Sequence, residues 1–163
     1  MKQLLLIRHA KSSWANTGQD DFDRPLNDRG SKDAPAMAER IKRKGIGIDQ
    51  FISSPALRAF TTATHFAAAY QQKPSGIVPI KQLYHATTLV YYNVIQTIDN
   101  KITTAALFSH NPGITDFINE LNLQYVANMP TCGIFSIKIK TNHWVEFVSA
   151  EKEFWFFDYP KLQ

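Results

Sequence analysis

Four apolar residues in a row, Leu4-Leu5-Leu6-Ile7, end abruptly at the charged pair Arg8-His9. A short, fully apolar run suits a central strand buried on both faces of a sheet, and not an amphipathic helix or a half-exposed strand. Residues 104–109 repeat the pattern and end at Ser109-His110. Two such strands need helices on both sides, and the intervening segments supply them. Ala34, Met37, Ala38 and Ile41 fall at helical spacing before the stop signal Lys44-Gly45. Pro35 either occupies the first turn of that helix or kinks a helix capped by Asn27. Residues 50–53 read as a second short strand. Ser54-Pro55 then reads as a helix start, with Ser54 as N-cap and Phe60, Ala63, Ala67 and Tyr70 as the apolar stripe.

Residues 77–83 read as extended and 89–98 as helical. Asn111-Pro112-Gly113 turns the chain into a helix bearing Ile114, Phe117, Ile118 and Leu121. Residues 134–139 and 144–148 alternate around Thr141-Asn142-His143 and predict an antiparallel hairpin at a sheet edge. Residues 154–157 form either a last strand or a packed tail. The expectation is one α/β domain over residues 1–163. It is a three-layer α/β/α sandwich with a mostly parallel central sheet and an antiparallel edge.

Composition narrows the function. With 44% hydrophobic, 20% charged and 12% aromatic residues, the chain can bury a core and is not intrinsically disordered. Cys132 is the only cysteine, so there is no disulfide scaffold, and a reducing, cytoplasmic setting is expected. No apolar run approaches the ~7–15 residues of a secretory signal or the ~20 of a membrane span. The net charge is +4 without any block of like charges. That reads as a mildly basic surface, with neither nucleic acid nor membrane as partner.

In sheets of this kind ligands bind beyond the carboxyl ends of the strands. Arg8 and His9 follow the first strand, Arg58 lies in the first turn of the helix after the second, and His110 follows the third. Two arginines, two histidines and two helix N-termini on one rim point to a dianion, most naturally phosphate. A neutral imidazole among arginines can also attack phosphorus and form a phospho-enzyme. The arginines would then stabilise the transferred group without a metal or cofactor.

The same residues carry a resemblance. Leu5-Leu6-Ile7-Arg8-His9-Ala10-Lys11-Ser12-Ser13-Trp14, Asp23-Arg24-Pro25-Leu26-Asn27-Asp28-Arg29-Gly30, Ser53-Ser54-Pro55-Ala56-Leu57-Arg58-Ala59-Phe60-Thr61-Thr62-Ala63 and Ser109-His110-Asn111-Pro112-Gly113 appear in this order. In that order they resemble the histidine phosphatase superfamily, which has the phosphoglycerate mutase-like fold. The short SixA-type phosphohistidine phosphatases are the most similar branch. The resemblance implies His9 as nucleophile, Arg8 and Arg58 as phosphate-binding arginines and His110 as a second contact to the phosphoryl group. Arg24 matches an arginine near the pocket mouth, where it either binds substrate or anchors the loop. Lys11 either adds positive potential or is solvated. Ala10 stands where many members have Gly, and so requires ordinary backbone geometry there.

The wider family protonates its leaving alkoxide with a carboxylic acid, often in a Leu-x-Glu context. Here Leu83-Tyr84-His85-Ala86 offers none. His85 either stands in as acid or is a packing residue. A pocket without a carboxylic acid favours phosphohistidine, whose imidazole leaves far more readily than an alkoxide. The expected activity is metal-independent hydrolysis of phosphohistidine on a protein, releasing inorganic phosphate. Hydrolysis of a small phosphorylated metabolite is the alternative, and a non-catalytic phosphate- or phosphoprotein-binding module is the rival from another class.

Overall fold

The computed structural model describes residues 1–162. Its elements run β1 (Lys2–Arg8), α1 (Asp28–Arg43), β2 (Gln50–Ser53), α2 (Leu57–Ala69), β3 (Val78–Pro79), α3 (Thr88–Gln96), β4 (Thr104–Ser109), α4 (Gly113–Glu120), β5 (Ile134–Ile139) and β6 (Lys152–Asp158). The strands form one sheet in the order β3-β2-β4-β1-β5-β6. β1 to β4 are parallel to one another, whereas β5 pairs antiparallel with β1, and β6 pairs antiparallel with β5.

The two-residue period of β1 splits its apolar run between two cores. Leu4 and Leu6 face α3 and α4, where Tyr91, Ile95, Ile114 and Phe117 are buried. Leu5 and Ile7 face α1 and α2, against Met37, Ile41, Ala63 and Phe66. β4 repeats the division, with Leu107 on the first side and Phe108 on the second. The result is the expected three-layer α/β sheet with an antiparallel edge.

One open alternative is decided and three local expectations change. Asn27 caps α1, accepting from the Gly30 amide at 2.8 Å, and the helix runs through Pro35. α2 starts at Leu57 with Ala56 as cap. Ser54 is therefore not its N-cap, because its hydroxyl closes a local turn by accepting from the Ala56 amide at 3.2 Å. The buried stripe of α2 is Ala59, Ala63, Phe66 and Ala67, with Phe60 and Tyr70 half-buried. The extended stretch at 77–83 shortens to Val78–Pro79 and a helical turn, Lys81–Leu83.

The predicted hairpin at 134–148 does not form. Trp144–Glu146 is a helical turn, and the partner of β5 is β6. Trp144 and Phe147 are fully buried, while Val145 and Val148 are exposed. That three-residue spacing is helical and not that of a strand. The Trp144 indole N–H donates to the Ile102 carbonyl at 2.8 Å, which fixes the buried ring. No helix among the described residues is long and apolar enough to cross a membrane.

Candidate active site

β1 and β4 pair in register up to Arg8 and Ser109, so the two strands end side by side. His9 and His110 follow them directly, and their rings lie 5.2 Å apart. The His9 amide donates to the Ser109 carbonyl at 3.1 Å. The Cys132 amide, on the loop before β5, donates to the carbonyls of both Arg8 and His9. Ala10 is fully buried and avoids positive φ, the ordinary backbone geometry that an alanine there requires. Its amide donates to Thr62 Oγ1 at 3.0 Å, and that hydroxyl donates to the Arg58 carbonyl at 2.7 Å. The backbone around His9 is thus tied to β4, to α2 and to the loop before β5.

His9 Nδ1 lies 2.7 Å from the Ala10 carbonyl. A carbonyl can only accept, so Nδ1 carries the proton and Nε2 is left with its lone pair. Arg58 Nε points at that Nε2 from 3.4 Å. Burial, reinforced by the charges of Arg58 and Arg8, lowers the His9 pKa to about 3. The imidazole is therefore neutral throughout the neutral range. His110 is likewise pushed well below the usual histidine range, mainly by burial and then by His9 and Arg58. Its Nε2 pairs with Ser54 Oγ at 2.8 Å, while Nδ1 has no hydrogen-bond partner among the described residues. Arg8 Nη1 donates to the Met129 carbonyl at 2.7 Å, and its buried Nε is unpaired among the described residues.

The four residues expected on one rim do meet there. Arg24 is buried but turned to its own loop: it donates to the Ser13 carbonyl, pairs with Asp21 at 2.9 Å, bonds Ser12 Oγ and stacks on Trp14. That geometry matches the loop-anchor alternative. The Lys11 side chain makes no hydrogen bond or ion pair among the described residues. His85 is exposed, in a left-handed conformation at φ 57°. Its ring lies 3.9 Å from that of Tyr84, and it shares a cavity of about 250 Å³ with Ala86 and His110.

Three residues at this site lacked any signal in sequence reasoning: Asp21, Tyr84 and Ser54 as a partner of His110. Asp21 receives Arg24, Arg58 Nη2 at 3.0 Å and the Tyr84 hydroxyl at 2.6 Å. Burial is the largest single influence on its carboxyl and raises the pKa, but the hydrogen bonds from Tyr84, Arg24 and Arg58 together outweigh it and hold the carboxyl well below the usual carboxylate range. No group of three or more His, Cys, Asp or Glu side chains among the described residues could hold a metal ion.

The sheet order is that of a phosphoglycerate mutase-like fold, and its rim carries a buried histidine set between arginines. Residues 4–80 match the family model of the histidine phosphatase superfamily (branch 1). An uncharacterized protein of Mycobacterium leprae is 29% identical over 163 residues, covering 89% of this chain and 95% of that one. A 2,3-bisphosphoglycerate-dependent phosphoglycerate mutase of Gloeothece citriformis is 37% identical over 82 residues, 49% of this chain but only 35% of the mutase. Among solved structures, the protein histidine phosphatase SixA complexed with tungstate superposes with a TM-score of 0.80 at 20% identity, over 97% of each chain. A phosphoserine phosphatase of Entamoeba histolytica with 3-phosphoglyceric acid gives 0.67 at 18% identity, over 99% of this chain and 98% of that one.

Proposed function

We propose that the protein is a phosphatase whose nucleophile is His9 and whose substrate is phosphohistidine on a protein. The observation that carries the first part is the His9 tautomer. Nδ1 is committed to the Ala10 carbonyl, so a bare Nε2 faces the pocket beside Arg58. Nε2 attacks phosphorus, the bond from phosphorus to the substrate nitrogen breaks, and the departing imidazole takes a proton from solvent. Water then attacks phospho-His9, releasing inorganic phosphate and restoring the imidazole. Arg8, Arg58 and His110 surround the transferred group and stabilise its charge.

The substrate class follows from proton supply. Asp21 is the carboxylate bonded into the rim, and its three donors keep it ionised. An ionised carboxylate cannot protonate an alkoxide, so a leaving group of low basicity is favoured. The SixA structure is of a protein histidine phosphatase, which agrees with this reading. A small phosphate ester is the second reading, favoured by the cavity under His85, which could seat a compact leaving group beside His110. The single sheet, covered on both faces, supports one histidine phosphatase domain over the chain. The lone buried Cys132 supports a cytoplasmic setting.

The test is phosphate release from a histidine-phosphorylated carrier protein and from an aryl phosphate ester, with a chelator present. Wild type is expected to prefer the carrier, and His9→Ala to lose at least about 10³-fold in turnover. Retained turnover in His9→Ala would sink the mechanism. Ester cleavage with the carrier untouched would move the assignment to a small-molecule phosphatase and make His85 the next residue to mutate.

A further inference from the structure

Asp21 brings negative charge to a rim built of arginines and neutral imidazoles. It lies in a short helical turn, Asp21–Asp23, on the loop from β1 to α1, and its side chain is 44% exposed. Arg58 commits both terminal nitrogens to this one residue. Nη1 donates to the Asp21 carbonyl at 2.6 Å and Nη2 to Oδ2 at 3.0 Å, while Nε faces His9. The guanidinium fork is thus engaged before any phosphate arrives. Arg24 and the Tyr84 hydroxyl grip the same carboxylate from two further sides.

A phosphoryl group on His9 Nε2 needs donors from that fork. Carboxylate and phosphate oxygens fit a guanidinium in the same way, so the two anions compete for Arg58, and while both are present they repel. We infer that Asp21 is an internal competitor for Arg58 that sets the phosphate affinity of the His9 pocket and keeps the product, inorganic phosphate, weakly held. The inference rests on the reading of His9 and Arg58 as the phosphoryl site. A residue that only oriented Arg58 would have the opposite effect, since its loss would weaken phosphate binding.

The experiment is calorimetric titration of inorganic phosphate into wild type, Asp21→Asn, Asp21→Glu and Arg58→Ala, with melting temperatures recorded for each. Asp21→Asn is expected to bind phosphate about three- to tenfold more tightly, a modest gain because the carboxylate is partly exposed to solvent. Asp21→Glu should stay near wild type, and Arg58→Ala should lose binding. Should Asp21→Asn melt early, Asp21→Ser supplies a second neutral variant. Equal or weaker binding by the neutral variants, with binding still lost in Arg58→Ala, overturns the competitor and leaves the phosphoryl site standing. Undiminished binding by Arg58→Ala, or no binding by wild type and the neutral variants alike, overturns the site itself and the competitor with it.

Discussion

The two sides of the pocket are built differently. Its floor consists of His9, Arg8 and His110, side chains at or just beyond the ends of β1 and β4, with His9 and His110 each only 6% exposed. The floor is tied to backbone: His9 to the Ala10 carbonyl, Arg8 to the Met129 carbonyl, and the His9 amide to Ser109. The roof is Asp21, Phe22 and Tyr84, which stand in or beside short helical turns and hold chiefly to one another and to arginine side chains. The Tyr84 hydroxyl donates to Asp21, and the Phe22 and Tyr84 rings meet edge-to-face at 5.2 Å. A floor locked into two hydrophobic cores fixes His9 Nε2 in place. A roof with little burial opens at low free-energy cost, as elements that admit ligands must. The contrast separates where reaction geometry is set from where access and affinity are tuned.

Acid should attack the floor first. His9 and His110 have pKa values lowered in the folded protein, whereas an unfolded imidazole titrates near ~6.5. Below that pH the unfolded chain binds protons that the folded chain refuses, so stability is complete above ~6.5 and is lost as pH falls toward the folded values. From pH 7 to pH 5 the two imidazoles together should cost up to about 4 kcal/mol. Urea unfolding at the two pH values measures this, and a His9→Gln/His110→Gln double variant should show a distinctly flatter profile. An equal slope in both would mean that the floor imidazoles are not held neutral by burial.

Floor and roof meet at Gly113, the first residue of α4. A Cβ built there lies 2.3 Å from the Ala86 carbonyl oxygen and 3.3 Å from the Tyr91 hydroxyl. Gly113→Ala must therefore push away the segment carrying Tyr84 and His85, or displace the helix that follows His110. A stability loss of about 2–3 kcal/mol is expected. If phosphate release survives in the folded fraction, the floor holds without a correctly seated roof.

The same division governs what could be read from the residues alone. The floor was legible because strand ends follow from apolar runs, and side chains after a strand end share the rim whatever their distance in sequence. Asp21 was not, because its partners stand at positions 24, 58 and 84, and Asp20-Asp21-Phe22-Asp23 reads like an ordinary solvated acidic turn. Ser54 looked like a helix cap, since a serine before proline is a common helix start. Its pairing with His110 spans 56 positions and needs the register of β2 beside β4 to be known. The sheet edge failed for another reason. Residues 144–148 hold four apolar residues in five, a composition that suits an edge strand as well as a packed helical turn, and only the burial of Trp144 and Phe147 against the core decides between them.

The smallest effect should come from the roof's own hydroxyl. Tyr84→Phe removes the donor to Asp21 Oδ2 but keeps the ring that packs on Phe22 and His85. Asp21 retains Arg24 and Arg58, so the carboxylate stays ionised and in place. Stability should change by less than about 0.5 kcal/mol, as for an exposed polar group. Turnover on the phosphorylated carrier should stay within about threefold of wild type, or about 0.65 kcal/mol in barrier. Denaturant unfolding and steady-state rates on one preparation check both. A loss beyond tenfold without a stability change would make Tyr84 part of the reacting machinery. The roof would then be an extension of the floor, reached through Asp21 and Arg58, and not a separately tuned surface.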